Sequence, residues 1–154
     1  MNGITLEIDT ESFSRSSLGV ISGVIAIRIG DESFPAIDWD DLIVPVAIAW
    51  LEAILRIVGH LSKSERIWFM DGPFWVDLID SEYDVRLFAV EDRSSGNLIR
   101  HDVGVDLHDL LANVANTAGQ IIHECRLRGW NDSDLVKLEQ LKQQARRARG
   151  GIRT

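Results

Sequence analysis

The sequence predicts an α+β protein: an antiparallel sheet of five or six strands packed against one buried helix and two C-terminal helices. Three observations lead there. Short runs that alternate apolar and polar residues recur near the N-terminus and through the middle of the chain, the period of a half-buried strand. Leu42 to Leu61 is apolar almost all round, the pattern of a helix touched on most sides. After Asp106, two stretches carry helical periodicity with start and stop signals. With 154 residues, the chain is long enough to bury a core without staples. The expected organisation is one domain over 1–149 with a flexible C-terminal tail at 150–154.

Ile4, Leu6 and Ile8 alternate with polar residues and predict the first strand; Val20 to Ile29, rich in β-branched residues, predicts the second. Gly19 and Gly23 weaken that run and mark a bulge or a close backbone approach. The serines between the strands, Ser12 to Ser17, read as a loop. Glu52 and Arg56 lie four apart within the apolar segment, in the order that adds roughly 0.2 to 0.5 kcal/mol on a helix surface. In a bilayer the same two charges would cost several kcal/mol, which argues against a membrane span. Asp40 or Asp41 is placed to cap that helix, and Pro45 is tolerated in its first turn.

Trp68-Phe69-Met70-Asp71-Gly72-Pro73-Phe74-Trp75 is a reversal signal with an aromatic pair mirrored on each side. Pro73 has no N–H to close a two-residue loop, so the loop runs from Met70 to Pro73, with Phe69 opposite Phe74 and Trp68 opposite Trp75. Opposed aromatics contribute roughly 0.2 to 1 kcal/mol per pair and hold this register against a slip. Tyr83 to Glu91 alternates Tyr83, Val85, Leu87 and Ala89 with Asp84, Arg86, Phe88 and Val90; after a loop at Ser94 to Asn97, Leu98 to Val103 is a further strand. An antiparallel meander is the economical pairing. Asp106 caps a helix that stops at Gly129, with Leu107, Leu110, Leu111, Val114, Ala118, Ile121, Ile122 and Cys125 on its stripe. The last helix begins after Asp132 or Ser133 and turns Leu135, Leu138, Leu141 and Ala145 inward.

Chemistry is harder to find. His108 and His123, on one helix, stand roughly 22 Å apart, too far to share a metal. Cys125 on the apolar stripe reads as a core residue, and as the lone cysteine it forms no intrachain disulfide. No nucleophile elbow and no phosphate loop occurs. No metal, cofactor or catalytic residue is therefore assigned. A net charge of −8 and a pI near 4.9 work against nucleic acid as the main partner. The charge is uneven: Lys137, Lys142, Arg146, Arg147, Arg149 and Arg153 face a single acid, Glu139, between Leu135 and Thr154. Complementing a helix macrodipole explains such cations, with contact to nucleic acid or membrane as the alternative. The N-terminus lacks the basic start and long apolar core of a signal peptide, so a cytoplasmic location is expected.

The best surface candidate is Asp38-Trp39-Asp40-Asp41, three carboxylates around an indole, to which Asp71 at the hairpin tip and Trp75 are added as partner-binding residues. Capping accounts for at least one of the acids; hard cations need more convergent oxygens than this run guarantees. Phe34-Pro35, Trp39-Asp40-Asp41, Trp50-Leu51 and Phe69-Met70-Asp71-Gly72-Pro73 together resemble a pattern in small, acidic, mostly uncharacterised bacterial proteins, some of them similar to immunity proteins of polymorphic toxin systems. The resemblance covers roughly Phe34 to Trp75 and implies a folded inhibitor that covers a toxin's active or binding surface. A non-catalytic protein-binding role with a basic toxin domain as partner is the leading expectation. The alternatives are a small-ligand domain or enzyme with His101, Asp102 or His123 at the mouth of a pocket between sheet and helices, and a homo-oligomer in which Trp39 or Trp75 completes a neighbour's core.

Overall fold

The computed structural model describes residues 3–81 and 83–151, the last three through their backbone alone. In order the chain forms β1 (Ile4–Arg15), β2 (Ile21–Ile29), β3 (Glu32–Phe34), β4 (Asp40–Asp41), α1 (Ile43–Val58), β5 (Ser64–Trp68), β6 (Phe74–Asp80), β7 (Val85–Arg93), β8 (Gly96–Val105), α2 (Leu107–Leu127) and α3 (Ser133–Gly151). The class is α+β, with one helix after the early strands and two at the C-terminal end. The strands number eight among the described residues and divide into two antiparallel sheets of four, instead of one sheet of five or six. In the first sheet β1 pairs with β2, whose other edge carries both β3 and β4; the second is the expected meander β5-β6-β7-β8. The two-residue β4 and three-residue β3 are too short to show an alternation in sequence. Between the sheets runs α1, whose 16 residues carry the chain about 24 Å.

Helix α1 is the centre of the core. Ten of its sixteen residues are buried, Trp50, Leu51, Ile54 and Ile57 among them, where a helix with one apolar stripe buries three to four per two turns. It touches β2, β5, α2 and α3. Its N-cap is Leu42, which has no capping side chain; Asp41 instead accepts from the Leu42 N–H at 2.7 Å. Glu52 and Arg56 do not pair with each other. Arg56 reaches Glu65 on β5 at 2.6 Å and Glu52 faces Lys137 on α3 at 3.6 Å, so tertiary partners displace the local one. These partly exposed pairs are each worth under about 1 kcal/mol.

The predicted loop at Ser12 to Ser17 is largely strand. β1 continues to Arg15 through a register shift between Asp9 and Ser14, and buries Phe13. Gly23 of β2 permits this crossing, since a Cβ there would stand 2.8 Å from a ring carbon of Phe13. The free edge of β1 is served by α2. Asn113 Oδ1 accepts from the Leu6 N–H at 2.7 Å, and Thr117 donates its hydroxyl to the Leu6 carbonyl at 2.9 Å. Farther along, Arg128 donates to the carbonyls of Phe13 and Thr10. Side chains of a helix thus take the role of a further strand and cover an edge that would otherwise be open.

Asp106 caps α2 through the N–H groups of His108 and Asp109, and Gly129 leaves the helix at φ +77°. Leu135, Leu138, Leu141 and Ala145 of α3 are buried. Helix α3 extends through Gly150 and Gly151, where the tail was expected to begin; 152–154 lie outside the described residues. No described helix is long and apolar enough to cross a membrane. Because Leu51 is fully enclosed, Leu51→Ala is expected to cost about 2 to 5 kcal/mol, read as a lower urea midpoint at unchanged slope.

Candidate functional site

The expected hairpin forms in its expected register. Trp68 pairs with Trp75, and the Phe69 N–H donates to the Phe74 carbonyl at 3.1 Å, leaving Met70 to Pro73 as the loop. Because side chains alternate across a strand, Phe69 and Phe74 turn inward, where the ring of Phe34 meets both edge-on at 5.9 and 5.7 Å. Trp68 and Trp75 face the opposite side. Gly72 sits at φ +75°, and a Cβ there would stand 3.1 Å from the Trp39 indole, so the loop tip needs glycine on both counts.

Asp41 ties this hairpin to the loop before α1. Its side chain is 3 % exposed, and both oxygens are used. Oδ1 accepts from the Leu42 N–H at 2.7 Å, while Oδ2 accepts from Trp39 Nε1 at 3.0 Å and from the Asp71 N–H at 3.3 Å, thirty residues away. Trp39, so oriented, packs edge-on against Phe74 at 5.2 Å. The two loops therefore form one edge. Asp38, Asp40 and Asp71 are exposed along it, and none takes part in an ion pair among the described residues. Large apolar side chains are also exposed in these loops and at the hairpin end: Ile37 is 80 % exposed, Met70 46 %, and Trp68, on the outer face, 45 %.

Of the six residues singled out from sequence, Asp38, Asp40 and Asp71 face solvent and Trp39 is half-buried. Asp41 and Trp75 are buried. Trp75 is only 3 % exposed. Trp68 lies against it with ring centroids 4.8 Å apart, the Arg66 guanidinium sits 4.4 Å over its ring, and its indole N–H donates to Asp77 at 3.1 Å. Asp41 and Trp75 position the edge; Ile37, Met70 and Trp68 are exposed apolar residues that the sequence reading did not single out. Their signal was an apolar side chain in, or next to, a polar turn.

Elsewhere on the second sheet several acids are neutralised locally: Asp77 by Arg66, Asp102 by Arg86, Glu91 by Arg93 and Arg100. His101, Asp102 and His123 do not share a pocket. The His101 ring meets Phe34 edge-on and lies 3.4 Å from Glu32; Asp102 pairs with Arg86; His123 lines a groove between α2 and α3. A cavity of about 630 Å³ opens instead where α1 ends, between His60, Asp80, Asp106 and His108. Asp106 is already committed to capping α2. Among the described residues, no three His, Cys, Asp or Glu side chains are grouped to hold a metal ion. Burial pushes the Cys125 thiol up to about 11, so it is inert packing at neutral pH.

No known protein family, curated protein or solved structure matches this chain. Asp41→Ala is expected to lower stability by about 2 to 4 kcal/mol, because it strands buried donors at about 1 to 3 kcal/mol each. Asp71→Ala, which leaves its own N–H in place, is expected to stay within about 0.5 kcal/mol of the parent in the same urea titration. Cys125 is expected to resist a thiol reagent at pH 8 in the folded protein and to react at once in denaturant.

Proposed function

We propose that this chain is a non-catalytic protein-binding domain of the cytoplasm, with an immunity-type inhibitor of a toxin as its concrete form, and that the two-loop edge is its contact face. One observation carries the reading: the Asp41 tie joins two loops that expose three carboxylates with no ion-pair partner among the described residues, together with exposed Ile37 and Met70 and with Trp68 at the hairpin end. The wider charge supports it. Residues 1–134 hold 10 cations against 23 acids, so the body approaches a basic partner under an attractive field. Division of labour follows from magnitudes. Rim carboxylates act mainly on the encounter rate, whereas desolvated Ile37, Met70 and Trp68 supply the contact that slows release. The positioning pairs Trp68–Trp75 and Trp39–Phe74 keep that surface ordered before binding, which lowers the entropic cost of association.

A second reading, a small-ligand domain, draws on the cavity beside His60 and His108, whose volume falls within the usual range of ligand sites. A toxin domain encoded beside this chain's gene distinguishes the two. Its association with the purified chain is expected to slow about tenfold or more between 50 mM and 500 mM salt. Asp38→Asn, Asp40→Asn and Asp71→Asn combined should reproduce most of that loss at low salt, with little change in the release rate. A salt-independent association rate, or a triple variant that associates like the parent, refutes the mechanism.

A further inference from the structure

The groove between α2 and α3 has the opposite character from the rest of the surface. Asn116, Gln120, His123 and Arg126 of α2 fall within one arc of the helix, about 100° being turned per residue, and they face Lys142 and Arg146 of α3 across a space of about 460 Å³. Lys142 lies along the floor, its chain over Gly119, where a Cβ would stand 3.7 Å from its Cδ. Its ammonium is 3.0 Å from Glu139, and that lysine holds the Glu139 carboxyl below the usual carboxylate range. One acid therefore offsets one cation, and the two guanidiniums remain. Neither Arg126 nor Arg146 forms an ion pair among the described residues, and the side chains of Asn116, Gln120 and His123 make no hydrogen bond there. Elsewhere most arginines are paired: Arg15, Arg56, Arg66, Arg86, Arg93, Arg100 and Arg128 each reach a carboxylate within 3.4 Å.

We infer that this groove binds a small phosphate-bearing molecule. Two guanidinium forks with neighbouring amide and imidazole donors match a tetrahedral dianion, since arginine recognises phosphate through paired N–H bonds. Size decides between a small ligand and a polymer. Charges more than about 8 Å away are largely screened at physiological ionic strength, so a compact anion feels the groove alone. A nucleic acid or an anionic membrane extends beyond it and meets a body carrying 23 acids against 10 cations over residues 1–134.

Inorganic pyrophosphate is the probe. Titrated into the full chain at about 0.1 M salt, it is expected to bind in the millimolar range or tighter and to shift the backbone amide resonances of Gln120 and His123 in the parent protein. Arg126→Gln and Arg146→Gln, both at exposed positions, should each weaken calorimetric binding about tenfold, the loss expected for one charge-assisted contact, with urea midpoints unchanged. Absence of binding at 10 mM pyrophosphate overturns the inference, as does undiminished binding in both variants. Tighter binding of a 20-nucleotide single strand or of vesicles containing phosphatidylserine overturns the assignment to a small molecule.

Discussion

A helix that is apolar over most of its circumference must be enclosed on every side, and the rest of this structure is arranged to enclose α1. Its sixteen residues include Trp50, Leu51, Ile54 and Ile57, all with essentially no contact with water. At about 1.5 to 3 kcal/mol for each large side chain removed from water, the helix alone accounts for a large share of the gain on folding. No single sheet or helix face can cover it. The chain answers with β2 and β5 from the two sheets and with α2 and α3 from its C-terminal end.

That enclosure creates the other features. Bringing α2 against α1 also lays it along β1, where Asn113, Thr117 and Arg128 satisfy the backbone of an edge strand. Setting α3 beside α2 opens the basic groove between them. The step from the first sheet into α1 passes through Asp41, whose buried carboxylate is stable only because three N–H donors meet it. The same carboxylate fixes the loop of the second sheet. The polar knot at the entry to the central helix is therefore also what fixes the acidic, apolar edge.

Charge has a clear geography in this molecule. On the outer face of the second sheet, Arg66, Arg86 and Arg100 neutralise acids on neighbouring strands, and Arg93 pairs with Glu91 two residues back on its own strand. Exposed pairs of this kind add little stability, but they leave little net field to draw a partner to that face. Among the described residues, the charges without an ion pair include Asp38, Asp40 and Asp71 at the loop edge and Arg126 and Arg146 in the groove. We propose the loop edge for a basic surface with an apolar centre and the groove for a compact anion.

Much of the fold was legible because its signals are local. The hairpin register followed from mirrored aromatics and the missing N–H of Pro73, the start of α2 from Asp106, and its end from Gly129. The inward faces of α2 and α3 followed from periodicity. What depends on distant residues was not legible. Sequence order placed Arg56 four residues from Glu52, whereas folding sends it to Glu65. Asp41 was grouped with the surface acids because its donor at Asp71 lies thirty residues on, and nothing local shows Arg66 settling over the ring of Trp75. The sequence by itself determined the helices and the longer strands, since caps, turns and periodicity act within a few residues. Only the tertiary structure decided the division into two sheets, which carboxylate is buried, and which charges are left without partners, because pairing and burial are set by groups that meet only once the chain has closed around α1.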